Sequence, residues 1–164
     1  MEKEKLFYFT DDGNIPNNPK LPVIVYPAAF KSQPEKIEKT FNDNNWLNSW
    51  TNGVFDYHHY HSNSHEVLGV KNGFATIQLG GKNGKSIEVN TGDVIVLPAG
   101  TGHKRISSSK DFSVVGAYPD GMDHNLKVGE PNERPQVEKD IERVPSPKTD
   151  PVLGNDGPLL NYWK

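Results

Sequence analysis

A chain of 164 residues is long enough for one domain with a real hydrophobic core and too short for two of ordinary size. Its 18 Lys and Arg against 21 Asp and Glu give a net charge of −3, which supplies no long-range attraction to nucleic acid or an anionic membrane, so neither is expected as a partner. With no cysteine there is no disulfide, thiolate ligand or cysteine nucleophile, and any metal must be held by nitrogen and oxygen atoms.

Residues 6–10 form a short aromatic run, and 21–26 (Leu-Pro-Val-Ile-Val-Tyr) are a second strand candidate after the turn-rich stretch 11–20. Ser32 and Glu35 have the spacing of a capping box, Pro34 falls in the first turn, and Ile37 and Phe41 are four apart. Together they predict one short amphipathic helix over 33–45. Trp46, Leu47 and Trp50 are expected to dock that helix on the main body.

From residue 54 the pattern changes to short strands, predicted at 54–61, 66–71, 73–79, 85–89, 93–98, 103–107 and 112–118. Asn and Gly in the separators (Asn72-Gly73, Asn83-Gly84, Asn90-Thr91-Gly92) tolerate the positive φ of tight turns. So many short strands at near-regular spacing argue for a closed sandwich or barrel, with its core at about 20–120, and the lack of long helices argues against a parallel α/β fold. Beyond residue 120 strand character is lost. Residues 129–164 hold six prolines, yet also Val144, Val152, Leu153, Leu159, Leu160, Tyr162 and Trp163, a more apolar set than a purely disordered tail carries, with a mobile tail as the alternative. The expectation for 121–164 is an irregular arm laid over the barrel or a neighbouring subunit, within a single domain spanning 1–164. No apolar stretch of signal length follows the charged start, and no run approaches the ~18 apolar residues of a membrane span, so a cytoplasmic location is expected.

Chemistry concentrates in two stretches. In a strand alternate side chains share a face, so His59 and His61 project together while Tyr60 points away. A turn at 62–64 then brings Glu66 back beside them, and His103 follows the corner Pro98-Ala99-Gly100-Thr101-Gly102. Three imidazoles and one carboxylate make a shell suited to Fe(II), Mn(II), Ni(II), Co(II) or Zn(II), with one or two positions open to water or substrate on an octahedral ion.

His58 has the opposite parity and is expected outside this shell. His65, beside the turn, is a proton donor or acceptor at the cavity mouth, a replacement ligand, or a solvated turn residue. By the same parity Tyr57 either hydrogen-bonds a bound substrate or packs in the core. Arg105, on the face of His103, anchors a carboxylate or makes a surface salt bridge. Leu68, Val70, Ile77 and Val96 are expected as apolar wall. The segment 79–84 lacks the Lys-Ser/Thr ending of a phosphate loop, and no Gly-x-Ser-x-Gly elbow occurs.

Gly53, His59, His61, Glu66 and Gly73 fall in the spacing Gly-x5-His-x-His-x4-Glu-x6-Gly, and Gly92, Pro98, Gly100 and His103 in Gly-x5-Pro-x-Gly-x2-His. These resemble the two signatures of the cupin superfamily, departing at the last position of the second, where Ser107 stands in place of Asn. The stretches 59–70 and 154–159 look like the small YjlB-like cupin group.

The resemblance implies a mainly β jelly-roll barrel, often a homodimer, with His59, His61, Glu66 and His103 at the usual metal positions. It also makes an Fe(II)-dependent dioxygenase acting on a small oxygen-bearing or carboxylate metabolite the leading expectation, with His65, Tyr57 and Arg105 as catalytic candidates. A non-catalytic metal or small-ligand binding cupin and a metal-dependent isomerase stand as alternatives, since one fold hosts many chemistries.

Overall fold

The most apolar segments of the chain lie side by side at its centre. In the computed structural model, which describes residues 2–164, the strands are β1 (Lys5–Phe7), β2 (Val23–Tyr26), β3 (Trp46–Asn52), β4 (Glu66–Asn72), β5 (Phe74–Leu79), β6 (Lys85–Asn90), β7 (Val94–Leu97), β8 (His103–Ser108) and β9 (Ser113–Pro119). They form a six-stranded sheet in the order β1-β2-β7-β4-β9-β3 and a three-stranded sheet in the order β6-β5-β8, antiparallel throughout. The mainly β architecture expected from the turn spacing is thus present as two sheets, each hydrogen-bonded within itself.

Every residue of β2 and β7 is buried, without the alternation of a sheet wetted on one side, because both faces of the larger sheet are covered. On one face Val23, Val25, Leu68, Val70, Ile95 and Leu97 meet Ala75, Ile77 and Leu79 of the smaller sheet. On the other, Ile24, Tyr26, Val67, Val94, Val96 and Ala117 meet Ile37 and Phe41 of helix α1 (Ile37–Asp43). Gly69 lets that helix come close, since a Cβ there would stand 2.6 Å from Ile37 Cγ2.

The helix begins with a 3-10 turn, Pro34–Lys36, and the capping box expected from Ser32 and Glu35 does not form: Gln33 precedes the turn and no side chain caps it. Pro34 has no N–H to satisfy, so the turn has one orphan donor fewer. Among the described residues, no helix is long and apolar enough to cross a membrane.

The strand β3 departs from the expected pattern for a physical reason. In β3, Leu47 pairs with Tyr118 and Trp50 with Gly116, so Asn48 and Ser49 together oppose one residue, Ala117; Asn48 adopts φ 58°. This β-bulge reverses side-chain parity. Trp46 therefore packs into the core beside α1 as expected, while Trp50 turns to the inter-sheet face instead.

The C-terminal arm, expected to be irregular, contains a 3-10 turn (Pro131–Glu133) and two short helices, α2 (Gln136–Arg143) and α3 (Leu159–Tyr162). Val137 and Ile141, four apart, supply the buried stripe that stabilises α2. The arm covers this chain's own larger sheet through a polar knot. The fully buried Asp150 accepts from the Tyr26 hydroxyl and from the backbone N–H groups of Val152, Leu153 and Leu159. Trp46 Nε1–H donates to Thr149 O at 3.0 Å, and Trp163 Nε1–H donates to Pro22 O at 2.9 Å.

Candidate metal centre

Strand parity places the carboxylate. Leu68 and Val70 of β4 face the inter-sheet core, so Glu66, on the same side, points into the end of the space between the sheets and is 3% exposed. His103 opens β8 opposite Leu79 and enters that space from the smaller sheet. The corner before it is held by Gly100, at φ +91°, whose N–H donates to His61 O, and by Asn17, whose Oδ1 accepts from Gly102 N–H.

The predicted strand 54–61 does not form. Residues 53–65 run as an irregular segment with a bend at Asp56 and Tyr57 and two isolated bridges, His59 to His103 and Tyr60 to Lys127. The bridge carries His59 and His61 to the edge of β8, so they still face the cavity, which they line with Glu66 and His103. His61 is clamped from the chain beyond β9, where Asn125 accepts from Ser62 N–H and donates to Ser62 Oγ.

One oxygen and two nitrogens converge at the centre. Glu66 Oε1 lies 3.4 Å from His61 Nε2 and 3.4 Å from His103 Nε2, and the three ligand atoms fall within 4.8 Å of one another. Each imidazole spends its Nδ1–H on a backbone carbonyl: His59 on Tyr57 O at 2.9 Å, His103 on Thr101 O at 3.0 Å, and His61 on Asn125 O. That fixes the tautomer and leaves each Nε2 with a free lone pair. Among the described residues, Glu66 Oε1 is buried without a hydrogen-bond partner.

Lone pairs facing one another in a buried space call for a cation. Two atoms each ~2.1 Å from one ion sit about 3.0–3.4 Å apart at octahedral to tetrahedral angles, so the residues fit a divalent transition metal. His59 lies outside the three-residue cluster, its ring centroid 4.0 Å from that of His103.

Charge in the pocket follows from the same contacts. Burial opposes ionisation of Glu66, but the neighbouring His61 and His103 outweigh it and hold the carboxyl well below its ordinary range. For His61, burial disfavours the imidazolium, and the Glu66 carboxylate more than compensates, raising the pKa. Burial, with His103 beside it, pushes His59 down to about 3, so it stays neutral.

Residues 45–125 match the model of the Cupin family. Over 164 residues, 99% of each chain, the sequence is 47% identical to YjlB of Bacillus subtilis (strain 168), described as an uncharacterized protein. The chain belongs to the YjlB-like group of cupins.

Solved structures similar to this cupin share less sequence. A TDP-quinovose 3,4-ketoisomerase, WlaRB, from Campylobacter jejuni is 20% identical with a TM-score of 0.42, over 52% of this chain and 71% of its own. A DUF861-family protein from Thermotoga maritima is 17% identical with a TM-score of 0.36, over 58% and 96%. Oxalate decarboxylase from Bacillus subtilis is 17% identical with a TM-score of 0.39, over 68% and 29%.

The cavity of this cupin, about 670 Å³, also contains Arg105, whose Nε–H donates to Val54 O at 3.1 Å. Two other candidates lie elsewhere. Tyr57 is 41% exposed and stacks on Phe55 outside the cavity, because the bend at Asp56 and Tyr57 breaks the alternation that was to aim it inward. His65 is neither solvated nor at the cavity mouth: it is buried against Trp163, with ring centroids 4.6 Å apart. Its Nδ1 accepts from Ala99 N–H at 2.8 Å, the opposite tautomer to His59, His61 and His103, and burial lowers its pKa to about 3. His58 is absent from the cavity, as expected.

Sequence reasoning missed three residues of this cupin's site. Tyr118 donates to Glu66 Oε2, Trp50 Nε1–H donates to Tyr118 Oη, and His124 stacks on the Tyr118 ring at 3.9 Å and 12°. The signal for Tyr118 was present in the strand expected at 112–118, since the register Val67 to Ala117 places residue 118 opposite Glu66 one step on. His124 follows a turn and carries no periodic signal.

Proposed function

We propose that this cupin binds a divalent transition metal through His61, Glu66 and His103, with His59 as the fourth ligand, and is a metal-dependent enzyme for a small oxygen-bearing or carboxylate metabolite. The observation that carries the reading is the unpartnered, buried Glu66 Oε1, equidistant from two imidazole nitrogens whose tautomers are fixed from behind. A bound ion supplies Lewis-acid stabilisation of negative charge on its ligand and, as Fe(II), a route to dioxygen chemistry.

The rest is done by the chain. Arg105 holds an anionic group of the metabolite, Trp50, Val54 and Leu68 limit water, and Tyr118 holds the far oxygen of Glu66. His124 gives the cavity an imidazole beyond the ligand set, which favours an enzyme over a binding module. Fe(II)-dependent oxygenation is the reaction placed first, with metal-dependent isomerisation second.

The test is metal analysis of protein purified without added metal, followed by anaerobic reconstitution with Fe(II) and measurement of dioxygen uptake with a panel of hydroxy and oxo acids. Near-stoichiometric metal and acid-dependent uptake are expected. Metal uptake without oxygen consumption would overturn the dioxygenase step, and failure to bind any of Fe(II), Mn(II), Ni(II), Co(II) or Zn(II) would overturn the centre itself.

A further inference from the structure

Arg105 stands two residues from His103 on the same face of β8, about 7 Å along the strand, and lines the cavity. Its Nε–H is spent on Val54 O, while among the described residues no carboxylate lies within 4.0 Å of the guanidinium. Asp56 also lines the cavity, beyond that distance. With a divalent ion in place, the ion and Arg105 outweigh the charges of Glu66 and Asp56. The lining then carries net positive charge, which favours an anion.

Beside the polar Thr51, Asn52 and Asn125, the lining has large apolar side chains. Trp50, Val54 and Leu68 line the cavity, and two half-exposed apolar side chains stand at its opening: Phe55, 50% exposed, and Leu126, 47% exposed. Phe55 is held by parallel stacking on Tyr57, ring centroids 5.0 Å apart at 16°, and meets His59 edge-on at 5.1 Å. A ring fixed in this way and left uncovered offers contact at little entropic cost. A space of about 670 Å³ lies within the ~300–1,000 Å³ that encloses drug-sized ligands, far more than a two-carbon acid fills.

We infer that the cavity takes a carboxylate bearing an apolar body the size of an aromatic ring, with the carboxylate on Arg105, the apolar body against Phe55 and Leu126, and a further oxygen directed to the metal position. This rests on the metal reading above and adds the class of ligand to it. A two-point anchor of cation and ion at one end and a hydrophobic opening at the other rejects neutral aromatics for want of charge and small acids for want of contact.

The test uses the full chain loaded with Zn(II), which is redox-inert, and calorimetric titration with three probes: 2-hydroxy-3-phenylpropanoate, lactate and 2-phenylethanol. The phenyl acid is expected to bind at least roughly tenfold more tightly than either of the others. Arg105→Gln is expected to weaken it by roughly tenfold or more while zinc stays at one per chain, and Phe55→Ala to weaken it roughly fivefold without changing lactate. Arg105→Lys, which keeps the charge, guards against loss of folding and should fall between wild type and Arg105→Gln.

Equal binding of lactate, unchanged affinity in Arg105→Gln, or no binding of the phenyl acid at millimolar concentration would overturn the inference. Zinc stoichiometry, measured separately with a chromogenic chelator, distinguishes the two failures. Zinc bound without phenyl-acid preference overturns the ligand class alone. Phenyl-acid binding that depends on Arg105 in a protein taking up neither zinc nor Fe(II), Mn(II), Ni(II) or Co(II) overturns the metal reading and upholds the ligand class.

Discussion

Tyr118 and Glu66 face each other across β9 and β4, and the phenol donates to Glu66 Oε2 at 2.8 Å while Oε1 is left to the two imidazoles. Trp50 Nε1–H, at 2.8 Å from Tyr118 Oη, completes a chain running from the bulged strand to Glu66 Oε2. Partners of this kind orient a ligand and set its basicity. Tyr118→Phe keeps the ring and removes the donor, so metal affinity should fall by roughly 10–100-fold. Competition with a chelator of known affinity measures it, and an unchanged dissociation constant would show that Glu66 needs no such support.

Removing a ligand should do more. Glu66→Gln and His61→Ala are expected to abolish near-stoichiometric metal uptake, read by elemental analysis after dialysis. The far-ultraviolet spectrum should stay native, since neither side chain belongs to the two main apolar clusters. Full metal retention in either variant would remove that residue from the ligand set.

The seat of Trp50 is a second point of sensitivity. Gly116 leaves room for the indole, and a Cβ there would stand 2.3 Å from Trp50 Cε2. Gly116→Ala should displace the ring, destabilise the protein by ~1–3 kcal/mol and weaken the Trp50–Tyr118 contact. Denaturant titration and tryptophan fluorescence report the two effects, and native values in both would mean that the ring has another place to go.

Acid should loosen the tie between Glu133 and Tyr60, the residue between His59 and His61. Burial disfavours the Glu133 carboxylate, yet its pKa is lowered because Tyr60 Oη–H and the N–H groups of Val128 and Gly129 donate to it. A depressed carboxyl stabilises the fold fully above its unfolded value and loses that contribution as pH falls from about 4.3 through the native value. The melting temperature of wild type should therefore exceed that of Glu133→Gln at neutral pH, and the gap should close in acid. A gap that persists in acid would contradict the assignment.

Much of this molecule was legible as sequence where period and spacing suffice. The strands at β4, β5, β6, β7 and β9 fall within one or two residues of expectation because alternation and glycine turns fix them locally. His61, Glu66 and His103 come together as their spacing suggested. Two of the errors share a cause in parity. The extra residue at Asn48 and Ser49 turned Trp50 to the other face, and the bend at Asp56 and Tyr57 turned Tyr57 out. Neither break alters composition or hydrophobic pattern. His65 was misplaced because its burial depends on Trp163, nearly a hundred residues away in sequence.

The Asp150 knot bears on where this chain can be cut. The region matching the family ends at residue 125, but Leu159 and Trp163 belong to the same apolar cluster as Tyr26, Trp46 and Phe41. A shortened protein drawn to the family boundary would bare the back of the larger sheet and strand the Tyr26 hydroxyl without its acceptor. The last forty residues are thus one wall of the fold, and an expression boundary belongs beyond Trp163.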